Sequence, residues 1–532
     1  MSHKWNAGNI FLGVLAIATV RDCLEVVLEG RILLQYDDPF YSLKNYFLHF
    51  NSFYFLVYVS LSLILFLFAR KKVSVSESFL VGALAMMLIW IGPLFDYFIF
   101  GTFDMFYPRD PMDVICNLHH LADPFYDFEG LSHGMRVEII LVCLGGMGFL
   151  WYKTRKVVLS VCGGICLSLT SLAIGLIIPF VTQYYEFGFN FGYHPLYNST
   201  LLHQGFVVHG TPSKIALIYL FLCLVLFSLA YYLRNPKYFI AVLKNFRWSR
   251  TVHYLLLFGG GMMYIYNHPP LDNQVYAGDF GFLYTIWSHP IDIFGIFMAS
   301  VAVFLSFQSA VILNDVYDYD IDAVCNADRP LVAKTMPLPE YLLIGKIFAI
   351  LALVISFCIN ETFSLFMLLY LLFAFLYSVP PFRLRKYFFI SNLELATIFL
   401  LTFHAGSTVL VSSYCFENIP SFITFGLLAS YILAITAKDF KDYDGDKKSH
   451  IQTLQTILGK KVGGAVTVVS VCCAIFLPLF LFHLTQLLIF SIVIFIAFLL
   501  VVLFVKAYKL KETIIFLLYY LYLVVLFYFI IK

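Results

Sequence analysis

The stretch NDVYDYDIDAVCNADRPLVAKTM, residues 314–336, places a row of acidic side chains at the end of a long apolar segment. If the stretch is helical, Asp315, Asp318 and Asp322 are spaced i, i+3 and i+7, so their carboxylates share one face. The amide of Asn314 lies at the edge of that face. Carboxylates roughly 6 Å apart repel each other by about 2–3 kcal/mol per pair at an effective dielectric constant of about 20, so the row predicts a bound cation.

A second acidic row follows another apolar segment near the end of the chain, in KDFKDYDGDKKSHIQTL, residues 438–454. Its members Asp439, Asp442 and Asp446 are again three and then four residues apart. In the first row, the same periodicity places Asp320 on a different face of the helix, so Asp320 is not a member of that row. Two rows of equal spacing predict one site that is assembled from two parts of the chain.

Composition assigns the chain to the membrane proteins. Of its 532 residues 61% are hydrophobic and 12% are charged, and the mean hydropathy of +0.86 lies outside the range of soluble domains. A helix needs about 20 residues to cross a bilayer, and at that length the sequence predicts about fifteen spans. The first six spans lie near 8–28, 48–69, 76–101, 137–153, 157–182 and 214–233. The remaining spans lie near 251–267, 286–313, 340–359, 362–379, 387–411, 418–437, 462–479, 483–505 and 513–531. The predicted fold is therefore all-α and polytopic.

The lysines and arginines predict the orientation of these spans. With the N-terminus inside, most of the 34 lysines and arginines fall on the inner segments, and the outer loops at 268–285 and 412–417 contain none. Because short cytoplasmic loops carry the excess of positive charge, both acidic rows are expected on the cytoplasmic side. We expect an integral, multi-pass membrane protein whose site faces the cytoplasm, and we expect no nucleic-acid partner.

The acidic rows suit Mg²⁺, which prefers oxygen ligands and typically bridges one or two carboxylates to substrate phosphates. Diphosphate is the anion that we expect there. Basic residues near the rows would stabilise the charge of a leaving diphosphate, although the positive-inside bias alone also predicts basic residues in these loops. The basic candidates are Arg329, Lys334, Arg383, Arg385, Lys438 and Lys441.

Residues 244–532 resemble the UbiA superfamily of intramembrane prenyltransferases. NDVYDYDID followed by ADRPL, residues 314–331, and DFKDYDGD, residues 439–446, are similar to the two aspartate-rich motifs of that family. YSVPPFRLR, residues 377–385, resembles the tyrosine and basic stretch between them, and the last nine spans match the helix count of the family. The first six spans lie outside the resemblance. We therefore divide the chain into a domain of unknown role, residues 1–243, and a UbiA-like nine-helix bundle.

The resemblance also implies roles for individual residues. The two rows would hold Mg²⁺ and the diphosphate of an allylic prenyl donor, with Arg329 and Arg385 on the phosphates and Tyr377 near the reacting carbon. The implied row residues are Asn314, Asp318 and Asp322, with Asp315 in support, and Asp442 and Asp446, with Asp439 in support. The expected ligands of Mg²⁺ are Asp318, Asp322, Asp442 and Asp446.

The expected function is Mg²⁺-dependent transfer of a prenyl group from a polyprenyl diphosphate to an aromatic or lipid acceptor in the bilayer. Cys325 and Asp328 stand where asparagines are common in the family, so the resemblance leaves the acceptor class open. Phosphoribosyl transfer to a polyprenyl phosphate, which the superfamily also supports, is an alternative. A membrane transporter is an alternative of another class, but it predicts polar residues at mid-depth, whereas these acids lie at the ends of spans. The oligomeric state has no signature in the sequence.

Polar residues and glycines inside the spans have two interpretations each. Asn392, Glu394 and His404 lie in or beside one span, where they would either orient the acceptor or serve helix packing. The glycine run Gly259–Gly261 lies in another span and favours close helix packing over contact with phosphate.

Overall fold

The computed structural model describes most of the chain, namely residues 7–29, 39–101, 111–123, 126, 128, 131–187, 208, 211–268, 290–411, 418–504 and 512–531. Within these residues the regular structure is helical, apart from one isolated β-bridge between Phe128 and Leu131. The all-α prediction is therefore confirmed.

The first of two compact units comprises Met1–Phe239 and His289–Ile291. Within it, α2 is the central helix, because it packs against α1, α3, α7 and α8. The helices of this unit are α1 (Ala7–Glu29), α2 (Pro39–Ala69), α3 (Val75–Ala85), α4 (Ile91–Phe100), α5 (Pro111–Cys116), α6 (His133–Thr154), α7 (Val157–Phe187) and α8 (Thr211–Arg234). Short 3₁₀ turns cover Met86–Trp90 and Leu118–His120.

The second unit comprises Ile240–Ser288 and Asp292–Lys532, and the division between the units falls within α9 (Pro236–Asn245). Its helices are α10 (Trp248–Asn267), α11 (Pro290–Tyr317), α12 (Tyr319–Cys325), α13 (Leu338–Ile359), α14 (Glu361–Ser378), α15 (Phe388–Thr408), α16 (Ser421–Ala434), α17 (Asp439–Lys448), α18 (Leu454–Leu481), α19 (Leu488–Phe504) and α20 (Glu512–Ile531). Three 3₁₀ turns cover Leu384–Lys386, Ile435–Lys438 and Thr485–Leu487. Within the unit, α15 packs against α10, α14 and α16, and the short helices α12 and α17 pack against each other.

The predicted spans coincide with helical segments of the structure. Of the described helices, twelve segments are long and apolar enough to cross a membrane, and α20 contributes a shorter apolar stretch at Leu517–Ile530. The predicted third span corresponds to α3, a 3₁₀ turn and α4 in succession. The chain is an integral, multi-pass membrane protein.

Local sequence signals place two of the helix ends that form the site. Helix α14 ends at Ser378, two residues before Pro380, whose ring removes a backbone donor and does not fit a continuing helix. Helix α18 begins after Thr453, whose hydroxyl accepts a hydrogen bond from the Thr456 N–H at 3.2 Å. The Thr456 hydroxyl in turn accepts from the Thr453 N–H at 2.7 Å, which completes a capping box.

Helices α10 and α15 approach each other closely at glycines. A Cβ atom built on Gly261 would overlap the backbone oxygen of Phe403, and a Cβ on Gly406 would overlap the backbone oxygen of Phe258. A Cβ on Gly259 would meet nothing within 4 Å. The glycine run therefore serves helix packing, as the sequence predicts, and the packing requirement rests on Gly261 rather than on Gly259.

We expect Gly261→Ala to destabilise the protein, because the added methyl group forces two backbones apart. Overpacking of this kind typically costs about 1–3 kcal/mol, so the apparent Tm in detergent should fall by several degrees. Gly259→Ala is the matched control and should leave the Tm unchanged. Gly406→Ala should reproduce the loss from the other side of the contact. Equal Tm values for the Gly261 and Gly259 variants would contradict the close approach.

Candidate active site

The first acidic row lies at a break between two helices. Helix α11 ends at Tyr317, and Asp318 is the residue that precedes α12. The row is therefore not one continuous helix face, which corrects the sequence prediction. The side chains of Asp315, Asp318 and Asp322 are nevertheless buried, with exposed fractions of only 2%, 1% and 2%. Charged groups so poorly solvated require partners of opposite charge.

Arg329 joins two members of this row. Its guanidinium lies 3.0 Å from a carboxylate oxygen of Asp315 and forms a second ion pair with Asp322. The amide of Asn326 also donates a hydrogen bond to Asp322 at 3.1 Å. The sequence motif that contains ADRPL thus folds back onto the acids that precede it.

Asp315 has three further partners, and none of them was predicted as a site residue. Arg247 donates to one carboxylate oxygen at 2.5 Å, while Asn245 and the Tyr341 hydroxyl donate to the other at 2.9 and 2.7 Å. Asn245 is the last residue of α9, Arg247 immediately precedes α10, and Tyr341 belongs to α13. A short N-x-R pattern between two helices carries no recognisable signal, so the sequence offered no means of finding these residues.

Arg385 connects the two acidic rows. Its guanidinium forms an ion pair with Asp318 and lies 3.3 Å from a carboxylate oxygen of Asp446. Asp318 also accepts a hydrogen bond from the Asn314 amide at 2.5 Å and lies 3.4 Å from Arg383. One residue from each row thus contacts the same side chain, so the structure brings the two rows together.

The backbone holds Arg385 in this place. The 3₁₀ turn Leu384–Lys386 lies in the loop after α14, where the Arg383 N–H donates to the Val379 carbonyl at 2.9 Å. The Lys386 carbonyl accepts a hydrogen bond from the Gln452 N–H at 3.1 Å. This bond links the loop that bears Arg385 to the segment that follows Asp446.

The second row lies on α17, whose residues Asp439 and Asp446 are buried. The side chains of Lys441 and Asp442 lie outside the described part of the structure, so their roles remain predictions. Lys334 is exposed in the turn before α13, with a left-handed φ of 53°, and it does not line the cavity at the rows. The structure thus brings most of the predicted residues together but leaves Lys334 apart.

Arginines separate the carboxylates of the two rows. Among the side chains that the structure describes, no group of three or more histidines, cysteines, aspartates or glutamates is close enough to hold a metal ion. Asp318 and Asp446, however, lie within the reach of one guanidinium group. Mg²⁺ commonly takes only one or two protein carboxylates and completes its shell with water and phosphate oxygens. The donor set therefore fits Mg²⁺ bound together with a phosphorylated ligand.

Burial changes the protonation of Asp322, which lies outside the membrane-spanning segments. Burial raises the pKa of its carboxyl group to about 6, although the Arg329 guanidinium opposes this change by favouring the charged form. Asp315 acts in the same direction as burial, since a second negative charge nearby disfavours ionisation. A bound cation at the row would favour the ionised carboxylate.

A cavity of about 230 Å³ opens beside the two rows. Its polar wall is formed by residues at helix ends, and its apolar wall by residues deeper within the helices of the second unit. The polar wall includes Arg247, Arg250, Asn314, Asp322, Arg329, Tyr377, Arg385, Lys438, Asp439 and Asp446. The apolar wall includes Phe307, Tyr370, Leu395, Phe399, Tyr431, Val471, Ile494 and Phe498. An amphiphile with an anionic head and an apolar tail matches this division.

Tyr377 lies where the polar and apolar walls meet. Its hydroxyl accepts a hydrogen bond from the Lys438 ammonium group at 3.2 Å, and that nitrogen lies 5.5 Å from the centre of the tyrosine ring. Both residues line the cavity. The tyrosine therefore stands beside the space where the reacting end of such an amphiphile would lie.

The chain is similar to known proteins over its C-terminal half, which contains both acidic rows. Residues 274–529 match the model of the UbiA prenyltransferase family. The chain is 35% identical over 176 residues to a probable homogentisate phytyltransferase 2 from Oryza sativa subsp. japonica, which covers 31% of this chain and 46% of that protein. It is 26% identical over 203 residues to a digeranylgeranylglyceryl phosphate synthase from Methanosphaera stadtmanae, covering 38% of this chain and 72% of that protein.

A solved structure also aligns with the chain. A UbiA homolog from Archaeoglobus fulgidus bound to GPP and Mg²⁺ aligns with a TM-score of 0.41 and 17% identity, over 55% of this chain and 98% of that one. The chain spans about half the length of the phytyltransferase relative.

Proposed function

Because residues 274–529 of the chain belong to the UbiA prenyltransferase family, we propose that this protein transfers a prenyl group from a polyprenyl diphosphate to a hydrophobic acceptor. The observation that carries the proposal is the shared contact of Asp318 and Asp446 with Arg385 beside an amphiphilic cavity. A diphosphate would lie at the acids and arginines, and the prenyl tail would lie along the apolar wall.

The carboxylates of the two rows would hold Mg²⁺. The described candidates are Asp318, Asp322 and Asp446, and Asp442 is the fourth by its place in the motif. When bound, Mg²⁺ would act as a Lewis acid that neutralises charge on the diphosphate. Asn314 orients Asp318 through its amide, so it belongs to the same set.

The arginines of the site would bind the diphosphate directly. Arg329, Arg385 and Arg247 each line the cavity and each pair with a buried carboxylate. A guanidinium carries five donors, so an arginine that already contacts one acid still has donors for phosphate oxygens. These cations stabilise the negative charge that develops on the diphosphate as the allylic carbon–oxygen bond breaks, and its electron pair leaves with the diphosphate.

The apolar wall would protect the allylic cation that remains. Aromatic faces attract a cation, and Tyr377 is the ring that lies at the junction of the two walls. The wall also excludes water, which would otherwise capture the cation before the acceptor does. We place the entrance to the site on the cytoplasmic side, because the loops that bear both rows carry the excess of lysine and arginine.

The test is a transfer assay with the purified full-length chain in detergent or nanodiscs. We expect radiolabel from geranylgeranyl diphosphate to pass into an extractable lipid product when Mg²⁺ and a mixture of membrane lipids and phenols are present. Chelation of divalent ions with EDTA should abolish the transfer, and added Mg²⁺ should restore it. Residual transfer in EDTA equal to that with Mg²⁺ would contradict the metal requirement.

The same assay separates the alternative donors. Phosphoribosyl diphosphate with a polyprenyl phosphate should give no product if the proposal is correct. Product from this pair, and none from geranylgeranyl diphosphate, would assign the site to phosphoribosyl transfer instead.

A further inference from the structure

The first unit contains a cavity of its own, for which the proposed prenyl transfer provides no use. It has a volume of about 110 Å³ and lies among α1, α2, α6, α7 and the 3₁₀ turn Met86–Trp90. Most of its wall is apolar, and α2 contributes three aromatic rings to it, those of Phe50, Phe53 and Tyr54. All of its lining residues belong to Met1–Phe239, so the cavity is built entirely within the first unit.

Arg21 places a permanent positive charge on the wall of this cavity. It lies on α1 and is only 2% exposed, and its guanidinium carbon lies 5.7 Å from the centre of the Tyr54 ring. The next residue, Asp22, accepts a hydrogen bond from the Asn51 amide of α2 at 2.6 Å, which joins the two helices. Ionisable groups inside membrane proteins are costly and usually face an internal site, so Arg21 marks this cavity as a binding site to be tested.

Glu138 places a negative charge on the same wall. It lies within the span formed by α6, and it lines the cavity. One of its carboxylate oxygens accepts a hydrogen bond from the Gly92 N–H at 2.8 Å, at the start of α4, where backbone N–H groups lack partners within the helix. A Cβ atom on Gly92 would overlap this oxygen. The break between α3 and α4 therefore holds Glu138 in place, and Leu88 and Ile89 of the intervening turn complete the wall.

The size of the cavity limits its ligand to a small molecule. An apolar cavity of about 150 Å³ is large enough to bind benzene. A cavity of about 110 Å³ therefore holds a small polar group with a short apolar substituent, but not the two acyl chains of a phospholipid. In so small a space, one bound molecule meets both charged side chains.

The two charges select a molecule that carries both signs. Of the described residues that line the cavity, Arg21 is the one cation and Glu138 the one anion at neutral pH. A purely anionic ligand would be repelled by Glu138, and a purely cationic ligand would be repelled by Arg21. A carboxylate matches the forked guanidinium, and an ammonium group matches the carboxylate of Glu138. The wall therefore fits a zwitterion with an apolar substituent.

We propose that the first unit binds an α-amino acid with a short apolar side chain. Its carboxylate pairs with Arg21, its ammonium group pairs with Glu138, and its side chain lies against the rings of Phe50 and Phe53. The two charged groups of an α-amino acid are attached to one carbon atom, so both fit within a small cavity. This site does not depend on the prenyl transfer proposed for the second unit.

The first test measures binding of L-leucine to the full-length chain in phosphatidylcholine nanodiscs. We expect saturable binding of tritiated L-leucine. Two analogues each lack one charge, since 4-methylpentanoate has no ammonium group and 3-methylbutylamine has no carboxylate. Each should compete at least ~10-fold more weakly than unlabelled L-leucine, because it loses a charge-assisted hydrogen bond. Absence of saturable binding, or competition by either analogue as strong as that by L-leucine, would overturn the proposal.

A second arm distinguishes an amino acid from a lipid head group that carries the same two charges. Phosphatidylethanolamine has an anionic phosphate and an ammonium group. Nanodiscs that contain this lipid should bind L-leucine as tightly as phosphatidylcholine nanodiscs do, because its acyl chains exceed the cavity. Loss of L-leucine binding in its presence would assign the cavity to the lipid and overturn the proposed ligand.

Variants test whether each charge meets the proposed group of the ligand. Glu138→Gln keeps an oxygen that can accept from the Gly92 N–H but removes the charge. It should weaken L-leucine binding by about 10–100-fold, and it should leave the weaker binding of 4-methylpentanoate unchanged or make it tighter. Arg21→Met should weaken L-leucine binding by a similar factor, with the binding of 3-methylbutylamine unchanged or tighter.

The matched controls are Glu77→Gln and Arg70→Met, which make the same changes at residues of the first unit that do not line the cavity, and they should keep wild-type affinity. Size-exclusion profiles and Tm values identify the folded variants. If Arg21→Met does not fold, Arg21→Lys replaces it and should also weaken L-leucine binding, because lysine lacks the fork. Wild-type affinity in both folded test variants, or an equal loss of affinity for L-leucine and both analogues, would overturn the proposal.

Discussion

Replacement of Asp318 by alanine is expected to reduce kcat/KM for prenyl transfer by about 10²–10³-fold, the loss typical for removal of a group that stabilises transition-state charge. The side chain is 1% exposed and contacts Arg385, Arg383 and Asn314. Its removal takes one anionic partner from these groups and removes one proposed ligand of Mg²⁺. Labelled geranylgeranyl diphosphate and the purified variant provide the measurement.

Two further variants test whether the loss of activity is specific to the charge of Asp318. Asp320→Ala changes an exposed carboxylate that is two residues from Asp318 but outside the row, and it should retain wild-type activity. Asp318→Asn keeps the shape of the side chain but removes its charge, so it should lose activity nearly as far as the alanine variant. If the Asp318 and Asp320 variants were equally active, and both were folded, the first row would not be part of the site.

Replacement of Arg385 by alanine should have an effect of similar size, about 10²–10³-fold in kcat/KM, because it removes a side chain that contacts both acidic rows. Asp318 and Asp446 would then face each other without the intervening cation. Their mutual repulsion should also destabilise the protein, since removal of one partner from a buried ion pair is strongly unfavourable. Activity assays and thermal denaturation of the same preparation would report the two effects.

Arg385→Lys separates charge from geometry. A lysine retains the positive charge but lacks the forked guanidinium, so it cannot contact two acids in the same way, and we expect only partial recovery. Lys386→Ala changes the exposed neighbour and should be neutral. Wild-type kinetics in the Arg385→Ala variant would show that the rows do not depend on this contact.

Several parts of this picture were predictable from local patterns. Long apolar segments and a charge bias between loops predict membrane spans and their direction, because both depend on composition over a short window. The acidic rows were predictable for the same reason, since their spacing is local. The separation of Asp320 from Asp318 also followed from spacing, and the structure leaves Asp320 exposed while burying Asp318.

Other parts depended on which helices meet. Local sequence did not show that α11 would end at Tyr317. It also did not show that Asp315 would pair with Arg329 while Asp318 pairs with Arg385. The contribution of Arg247 was equally hidden, because it comes from 68 residues before Asp315 along the chain. Lys334 was predicted as a site residue because it is close to the first row in sequence, but in the structure it does not line the cavity.

The sequence by itself determined that this is an all-helical membrane protein with two acidic motifs of the UbiA kind, because hydropathy, charge bias and residue spacing are properties of short segments. Only the tertiary structure decided that Asp318 and Asp446 share Arg385 and that Arg247 pairs with Asp315. Such pairings join residues far apart in the chain, and they are set by how long apolar helices pack and by the cost of burying a charge without a partner.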